Sequence, residues 1–313
     1  MARVLAGLRR YQEATRDPPP PPAPAIAEIA GATLRDYGGE GPPVLFIPSL
    51  INPPNVLDLG PEKSLLRWLA GNGFRVLLLD WGWDVAARRD LSVAGHVEEI
   101  ALPFIETLPE RPALVGYCLG GTMAVAAAAL AKAPALAVIA APWRFSGFPE
   151  AARADLASLW RGSEAAAQAL GALPMEVLQS AFWRLDPART VSKFERFAAL
   201  DPSSSEARAF VTLEDWANDG PPVPLAAARE MFGFFADDAP WPVGGRTIDP
   251  ARLSCPILNI VSTSDRIVPA ATAMAAGERL DLPQGHVGMV VGGAAKKALW
   301  EPLAGWLSRT LSS

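Results

Sequence analysis

Sulfur and imidazole are scarce in this chain, whose 313 residues include two cysteines and two histidines. Cys118 follows one apolar, strand-like run and Cys255 precedes another. In a parallel sheet those positions fall at opposite ends, too far apart for a disulfide, so a reduced, cytoplasmic setting is expected. Cys255 reads as a buried structural thiol, the usual state of a free cysteine. Charge is thin as well: 19% of residues are charged and the net charge is −5, which argues against a general nucleic-acid binder. No continuous apolar core marks the first residues, so no secretory signal is expected there. Long hydrophobic runs are also missing. The longest, over residues 122–142, is broken by Lys132 and Pro134. It reads as a buried helix followed by a buried strand, not as a membrane span. No internal repeat is found.

What is present is apolar and periodic. Half of the residues are hydrophobic, a globular balance, and the length allows one large domain or one domain with an insertion. Residues 2–15 form a helix candidate with Val4, Leu5, Leu8 and Tyr11 on one side and Arg3, Arg9, Arg10 and Arg16 around them. A docked terminal helix is the plain reading, and a surface for a partner or an amphiphilic interface the sharper one. The proline-rich stretch 18–24 is restricted to polyproline II and predicts a stiff spacer. Short apolar runs at 44–47, 74–79, 113–116, 136–140 and 256–261 alternate with helical stretches at 62–70 and 91–108, the second interrupted near Pro103. That rhythm belongs to a parallel sheet covered on both faces. Between 143 and 245 it changes to helical pieces rich in tryptophan and phenylalanine. These read as an inserted cap whose aromatics mostly form its own core, the rest lining an apolar approach to the site. The expected division is an N-terminal helix and linker over 1–24, a core over 25–142 and 246–313, and a cap over 143–245. A closing helix is predicted over 294–311.

The chemistry is carried by Gly116-Tyr117-Cys118-Leu119-Gly120-Gly121, set between an apolar run and an alanine-rich helical run. Small residues two positions to either side of a nucleophile, between strand and helix, define the nucleophile elbow of α/β-hydrolases. Only glycine lets strand and helix pass so close to the nucleophile. The nucleophile position holds a thiol where a hydroxyl is usual. A thiol needs a base, and the base an orienting acid; in this fold the order along the chain is nucleophile, acid, histidine. His286, flanked by Gly285 and Gly288, follows the last strand-like run. His96 precedes the nucleophile in a helical pattern and reads as structural or surface. Asp265 lies on the loop after the strand ending at Val261, whereas its competitor Asp281 sits in a strand-edge run. The candidate triad is therefore Cys118, Asp265 and His286. Candidate oxyanion donors are the backbone N–H groups of Leu119 and of Leu50, with Ile51 as the alternative to Leu50. The expected architecture is an α/β-hydrolase fold with a mostly parallel sheet and an inserted helical cap. No metal and no cofactor is expected.

Two families share the hexapeptide. The dienelactone hydrolases are short and capless, and the 147 positions between Cys118 and Asp265 demand a large insertion. From about residue 42 to 307 the chain instead resembles the poly(3-hydroxyalkanoate) synthases. The matching motifs are the lipase-like box at 116–121, the loop at 48–59, Asp80-Trp81-Gly82 and the cap segment at 213–220. Residues 255–260, 264–269 and 285–288 match the strand and loops that bear the acid and the histidine. The resemblance implies an acyltransferase that takes (R)-3-hydroxyacyl-CoA, such as 3-hydroxybutyryl-CoA. It would acylate Cys118, release CoA, and pass the acyl group to a hydroxyl of a growing polyester, CoA being part of the substrate. It also implies that His286 deprotonates the thiol, that Asp265 orients His286 or together with it activates the incoming 3-hydroxyl, and that Asn52 and Asp80 brace nearby loops. Arg266 stands where the family usually has histidine. The length is nearer the small, class III-like synthases that work with a second, non-catalytic subunit, a homodimer being the alternative. The resemblance places such an enzyme in the cytoplasm, at the surface of polyester granules. The rival enzymatic readings are a cysteine-dependent thioesterase and an intracellular polyester depolymerase. The non-enzymatic one is a granule-surface or scaffold protein with a vestigial site.

Overall fold

Strand β3, Pro43–Ile47, shows why the apolar runs are continuous. Val44 and Phe46 pack into one core cluster while Leu45 and Ile47 pack into another, on the opposite face. Both faces of the strand are buried, so no residue is left to be polar. The same holds for β4, Arg75–Asp80, and β5, Ala113–Tyr117. With β1 (Ala25–Ile29), β2 (Ala32–Asp36), β6 (Leu136–Ile139), β7 (Ile257–Ser262) and β8 (Glu278–Leu282), they form one eight-stranded sheet. Its order is β1-β2-β4-β3-β5-β6-β7-β8. β1 and β2 form an antiparallel hairpin, β2 runs antiparallel to β4, and the remaining pairs are parallel. This is the expected α/β-hydrolase architecture. The computed structural model describes residues 2–185 and 187–312, the side chains at 185 and 187–190 apart.

Parallel strands put their C-terminal ends, and the loops that follow, along one edge of the sheet, where α/β folds bind ligands. β3 lies beside β5, which brings the loop beginning at Pro48 against the elbow. β7 and β8 pair in register from Leu258↔Glu278 to Ser262↔Leu282, so the loops after them emerge side by side. The predicted helix over 91–108 is broken as expected near Pro103. Val97–Ala101 widens into a π turn, with Leu102 N–H donating to Val97 O. Lys296–Trp300 does the same ahead of Pro302, where Glu301 N–H donates to Lys296 O. Proline lacks an N–H and its ring clashes with the carbonyl four residues back, and each widened turn sits just before one. His96, at the start of the first widened segment, is fully buried, and burial lowers its pKa to about 4. It is a structural histidine, held through Nδ1 against Ser92 O at 2.7 Å.

The N-terminal helix α1, Ala2–Glu13, docks on a cap helix, but not through the side its leucines suggest. Leu5 and Leu8 are exposed, and the buried residue is Gly7. A Cβ on Gly7 would lie 2.0 Å from Phe194 O, so the missing side chain permits the contact. Tyr11 Oη donates to Asp215 Oδ1 at 2.7 Å, and Arg10 donates to Leu200 O at 2.6 Å. The proline-rich stretch is a strap laid on the core rather than a free spacer. Pro21 O accepts from Arg67 and Pro24 O from Asp36 N. Helix α2, Leu119–Ala131, follows the elbow. The cap region contributes α3 (Glu150–Leu170), α4 (Met175–Leu185), α5 (Pro187–Ala199), α6 (Ser205–Asn218) and α7 (Leu225–Gly233). Two short ladders, Ala172–Leu173 with Val223–Pro224 and Pro242–Val243 with Arg246–Thr247, were not expected from the sequence. The closing helix α8 spans Glu301–Leu311. No helix among the described residues is long and apolar enough to cross a membrane.

Candidate active site

The nucleophile elbow is sterically compressed. β5 is buried over its whole length, and Cys118 follows it at φ 56° and ψ −131°, a conformation that side chains rarely adopt. The chain holds it there by hydrogen bonds from Cys118 N to Ile139 O at 2.9 Å and from Gly121 N to Cys118 O at 2.8 Å. The flanking glycines serve close packing. A Cβ on Gly116 would lie 2.4 Å from Gly121 Cα, and one on Gly120 would lie 2.2 Å from Ile47 O. Cys118 also caps the N-terminus of the 13-residue α2, where the helix dipole favours negative charge.

The loops after β7 and β8 bring the other two candidates together. His286 Nδ1 lies 2.6 Å from Asp265 Oδ2, and Asp265 is itself fixed by Ile267 N and Val268 N donating to Oδ1. Since the carboxylate only accepts, Nδ1 carries the proton and Nε2 is left for the substrate side. Burial by itself would lower the His286 pKa. The charges of Cys118 and Asp265, and hydrogen bonds with both, outweigh burial and raise it to about 10. Asp281, the competing acid, sits on edge strand β8 and pairs with Arg279 at 2.9 Å. Cys118, Asp265 and His286 share the wall of one cavity of about 250 Å³.

Leu50 is buried in the loop after β3. Ile51 N–H, the alternative donor, is engaged by Ser49 Oγ at 3.1 Å, which favours Leu50 beside Leu119 for an oxyanion. Asn52 Nδ2 donates to Asp219 O at 3.3 Å and so ties that loop to the cap. Asp80 pairs with Arg35 at 2.6 Å and accepts from Gly82 N, bracing the end of β4 outside the cavity. Arg266 lines the cavity wall next to Asp265. Cap side chains complete it. Phe182, Trp183 and Trp216 supply apolar surface, and Lys193 pairs with the buried Glu214 at 2.6 Å. Cys255 is half-buried ahead of β7, not fully buried as expected, because the residue leads into the strand instead of lying within it.

Tyr117 was not singled out by the sequence. Its ring stacks on His286 with centroids 5.1 Å apart, and its hydroxyl donates to His286 O at 3.2 Å. Burial, then the charges of Cys118 and Asp265, holds its pKa well above the usual value, so it stays a neutral donor. Its place inside the elbow motif was the only sequence signal.

Fold and site together define an α/β-hydrolase. Residues 44–295 match the model of the alpha/beta hydrolase family, and the chain belongs to that family. Within it, the chain is similar to proteins named poly(3-hydroxyalkanoate) polymerase subunit PhaC. That of Haloferax mediterranei is 28% identical over 291 residues, covering 85% of this chain and 58% of the relative. That of Thiocystis violacea is 26% identical over 294 residues, covering 85% and 80%, and that of Synechocystis is 28% identical over 295 residues, covering 85% and 77%. The chain thus spans 58% of the length of the Haloferax relative and 64% of that of a like-named protein of Haloarcula marismortui. Among solved structures, a thermophilic esterase from Thermogutta terrifontis superposes with a TM-score of 0.54 at 17% identity, covering 90% of this chain and 94% of the esterase. The monoacylglycerol lipase of Paleococcus ferrophilus gives 0.54 at 16%, covering 89% and 99%. These two likenesses concern the fold.

Proposed function

We propose that the protein is a polyester-forming acyltransferase that takes (R)-3-hydroxyacyl-CoA and works through a thioester on Cys118. The observation that carries the reading is a thiol at the elbow where esterases of this fold use serine, facing a histidine already paired with an acid. The similarity to polymerase subunits supports it. His286 Nε2 takes the thiol proton, and Sγ attacks the thioester carbonyl carbon. The backbone N–H groups of Leu119 and Leu50 receive the oxyanion. Collapse breaks the bond to the CoA sulfur, which leaves with the proton from His286. A hydroxyl of the growing chain then attacks the Cys118 thioester, gives its proton to His286, and forms an ester as the thiolate departs. Thioester-for-thioester exchange is nearly isoenergetic, so the acyl group stays activated for the hydroxyl. Asp265 holds the imidazole tautomer, and Tyr117 its plane.

The relatives are named as subunits, which supports assembly with a second, non-catalytic subunit, a homodimer being the alternative. The same reading places the enzyme at the surface of cytoplasmic granules of its own product. The test supplies (R)-3-hydroxybutyryl-CoA and follows free CoA together with insoluble polymer. The expected result is CoA release with polymer accumulating. CoA release that yields only free 3-hydroxybutyrate would establish a thioesterase instead.

A further inference from the structure

A second cavity of about 470 Å³ lies behind the catalytic one, between the proline strap, the end of β4 and helix α6. Pro53 and Trp216 line both cavities. Trp216 is buried, and its Nε1–H donates to Pro53 O at 2.9 Å, so one indole and one loop carbonyl form the partition. On the far side Trp83, 59% exposed, lines the second cavity and marks where it meets solvent. Two adjoining cavities thus lead from Cys118 to Trp83, while Trp183 and Arg266 are exposed residues of the first cavity's own wall.

We infer that this second cavity receives the growing polyester chain, with Trp216 as the partition that turns aside to admit it. The inference rests on the polymerase reading above. In that reaction two partners meet at Cys118 in each cycle, an acyl-CoA and a chain end. Were both partners to share the one cavity of about 250 Å³, the lengthening chain would obstruct the next acyl-CoA. The lining selects the kind of occupant. Pro19, Pro20, Pro22 and Pro54 offer aliphatic ring faces suited to the methylene and methyl groups of an aliphatic polyester. The wall also carries charge, most of it paired: Arg16 with Asp215 at 3.1 Å, Arg35 with Asp80 at 2.6 Å, Arg208 with Asp17 at 4.0 Å and Asp58 with Arg67 at 2.8 Å, carboxylates outnumbering arginines in the lining. A CoA phosphate would have to break such a pair, whereas an uncharged ester would not. The strap closes the cavity from above, which gives the proline-rich stretch a role beyond spacing.

Two variants narrow the route from different walls: Thr212→Trp on α6 and Asn55→Trp in the turn Pro54–Leu57. Either one, once its circular dichroism matches wild type, is given (R)-3-hydroxybutyryl-CoA. The expected result is a loss of polymer length on the order of tenfold greater than the loss of first-turnover CoA release. Chains of wild-type length, or equal losses in both readouts, would overturn the route. An independent measurement uses hydrogen exchange on Cys118→Ala protein with soluble, uncharged (R)-3-hydroxybutyrate oligomers. Protection over residues 205–218 and 54–59 supports the inference. Protection confined to residues 179–183 and 264–267, or none, overturns it. Wild-type protein that makes no polymer at all sinks the polymerase reading instead, and the exchange result still decides whether the cavity holds an ester chain.

Discussion

In the proposed reaction the sulfur of Cys118 performs two tasks that oxygen cannot perform together. It is a stronger nucleophile than a hydroxyl, and it would hold the acyl group as a thioester as reactive as the substrate. Replacing it by serine changes one atom in a backbone position that the elbow already fixes. The fold is therefore kept, while the hydroxyl needs a stronger base and stores the acyl group as a less activated ester. Cys118→Ser is expected to lower CoA release from 3-hydroxybutyryl-CoA by about two to four orders of magnitude, the usual range for a mispaired nucleophile and base. Turnover near wild type, with an unchanged melting curve, would contradict the thioester argument.

His286 makes a second prediction at the same scale. Its pKa is 6.5 in an unstructured chain and about 10 in the fold, where Cys118 and Asp265 more than offset burial. The folded state therefore binds more protons than the unfolded one between those values, and stability must fall as pH rises. The contribution is complete below pH 6.5 and is lost as pH passes through about 10. Urea titrations across this window should show the decline for wild type and a shallower one for Cys118→Ala, which removes the charge of one partner. Superimposable pH profiles would show that Cys118 and His286 are not coupled. This pair was readable from the sequence because the elbow and the loop positions are local patterns. Tyr117 was not, since its stacking on His286 exists only once β5 and the loop after β8 are side by side. The choice of Leu50 over Ile51 depended on one hydroxyl, Ser49 Oγ.

Among the elements, the sheet was the most legible part. Strands buried on both faces leave continuous apolar runs, and β3 to β7 were each visible for that reason. The docking of α1 was not visible in the same way. Its leucines formed the obvious stripe, yet the contact runs through Gly7, which has no side chain to register in a hydrophobic pattern. Because Tyr11 of α1 and Arg16 just beyond its end hold Asp215, α1 steadies α6, which supplies Leu213, Glu214 and Trp216 to the cavity wall. In Gly7→Val the new side chain meets Phe194 O, and α1 must lift from α5. We expect a stability loss of roughly 1–3 kcal/mol, as for other overpacked contacts. Faster hydrogen exchange over residues 2–13 and 205–218 should accompany it, with the exchange of β5 unchanged. If exchange rises only within residues 2–13, then α1 is a passive appendage and the cap does not depend on it.

For the whole molecule, the proposed function turns on what would meet an acyl group once CoA had left. The cavity wall is largely apolar, the Lys193–Glu214 pair in it is internally satisfied, and Asp265 and His286 are buried. Such a site gives water little to be held by, whereas a hydroxyl tethered to an acyl chain is brought in by the chain's own burial. An acyl-CoA without a 3-hydroxyl separates the two outcomes. Butyryl-CoA should acylate Cys118 and release a burst of CoA of about one equivalent per active site, and then nearly stop, for it provides no nucleophile to continue. Mass spectrometry of the intact chain should show the butyryl adduct, and hydroxylamine should remove it as it does other thioesters. Adding an alcohol that mimics a chain end should restart CoA release in proportion to its concentration. Steady release from butyryl-CoA alone, at a rate comparable with that from 3-hydroxybutyryl-CoA, would mean that water is the natural acceptor. The cavity would then belong to a thioesterase, and the thiol at the elbow would serve hydrolysis.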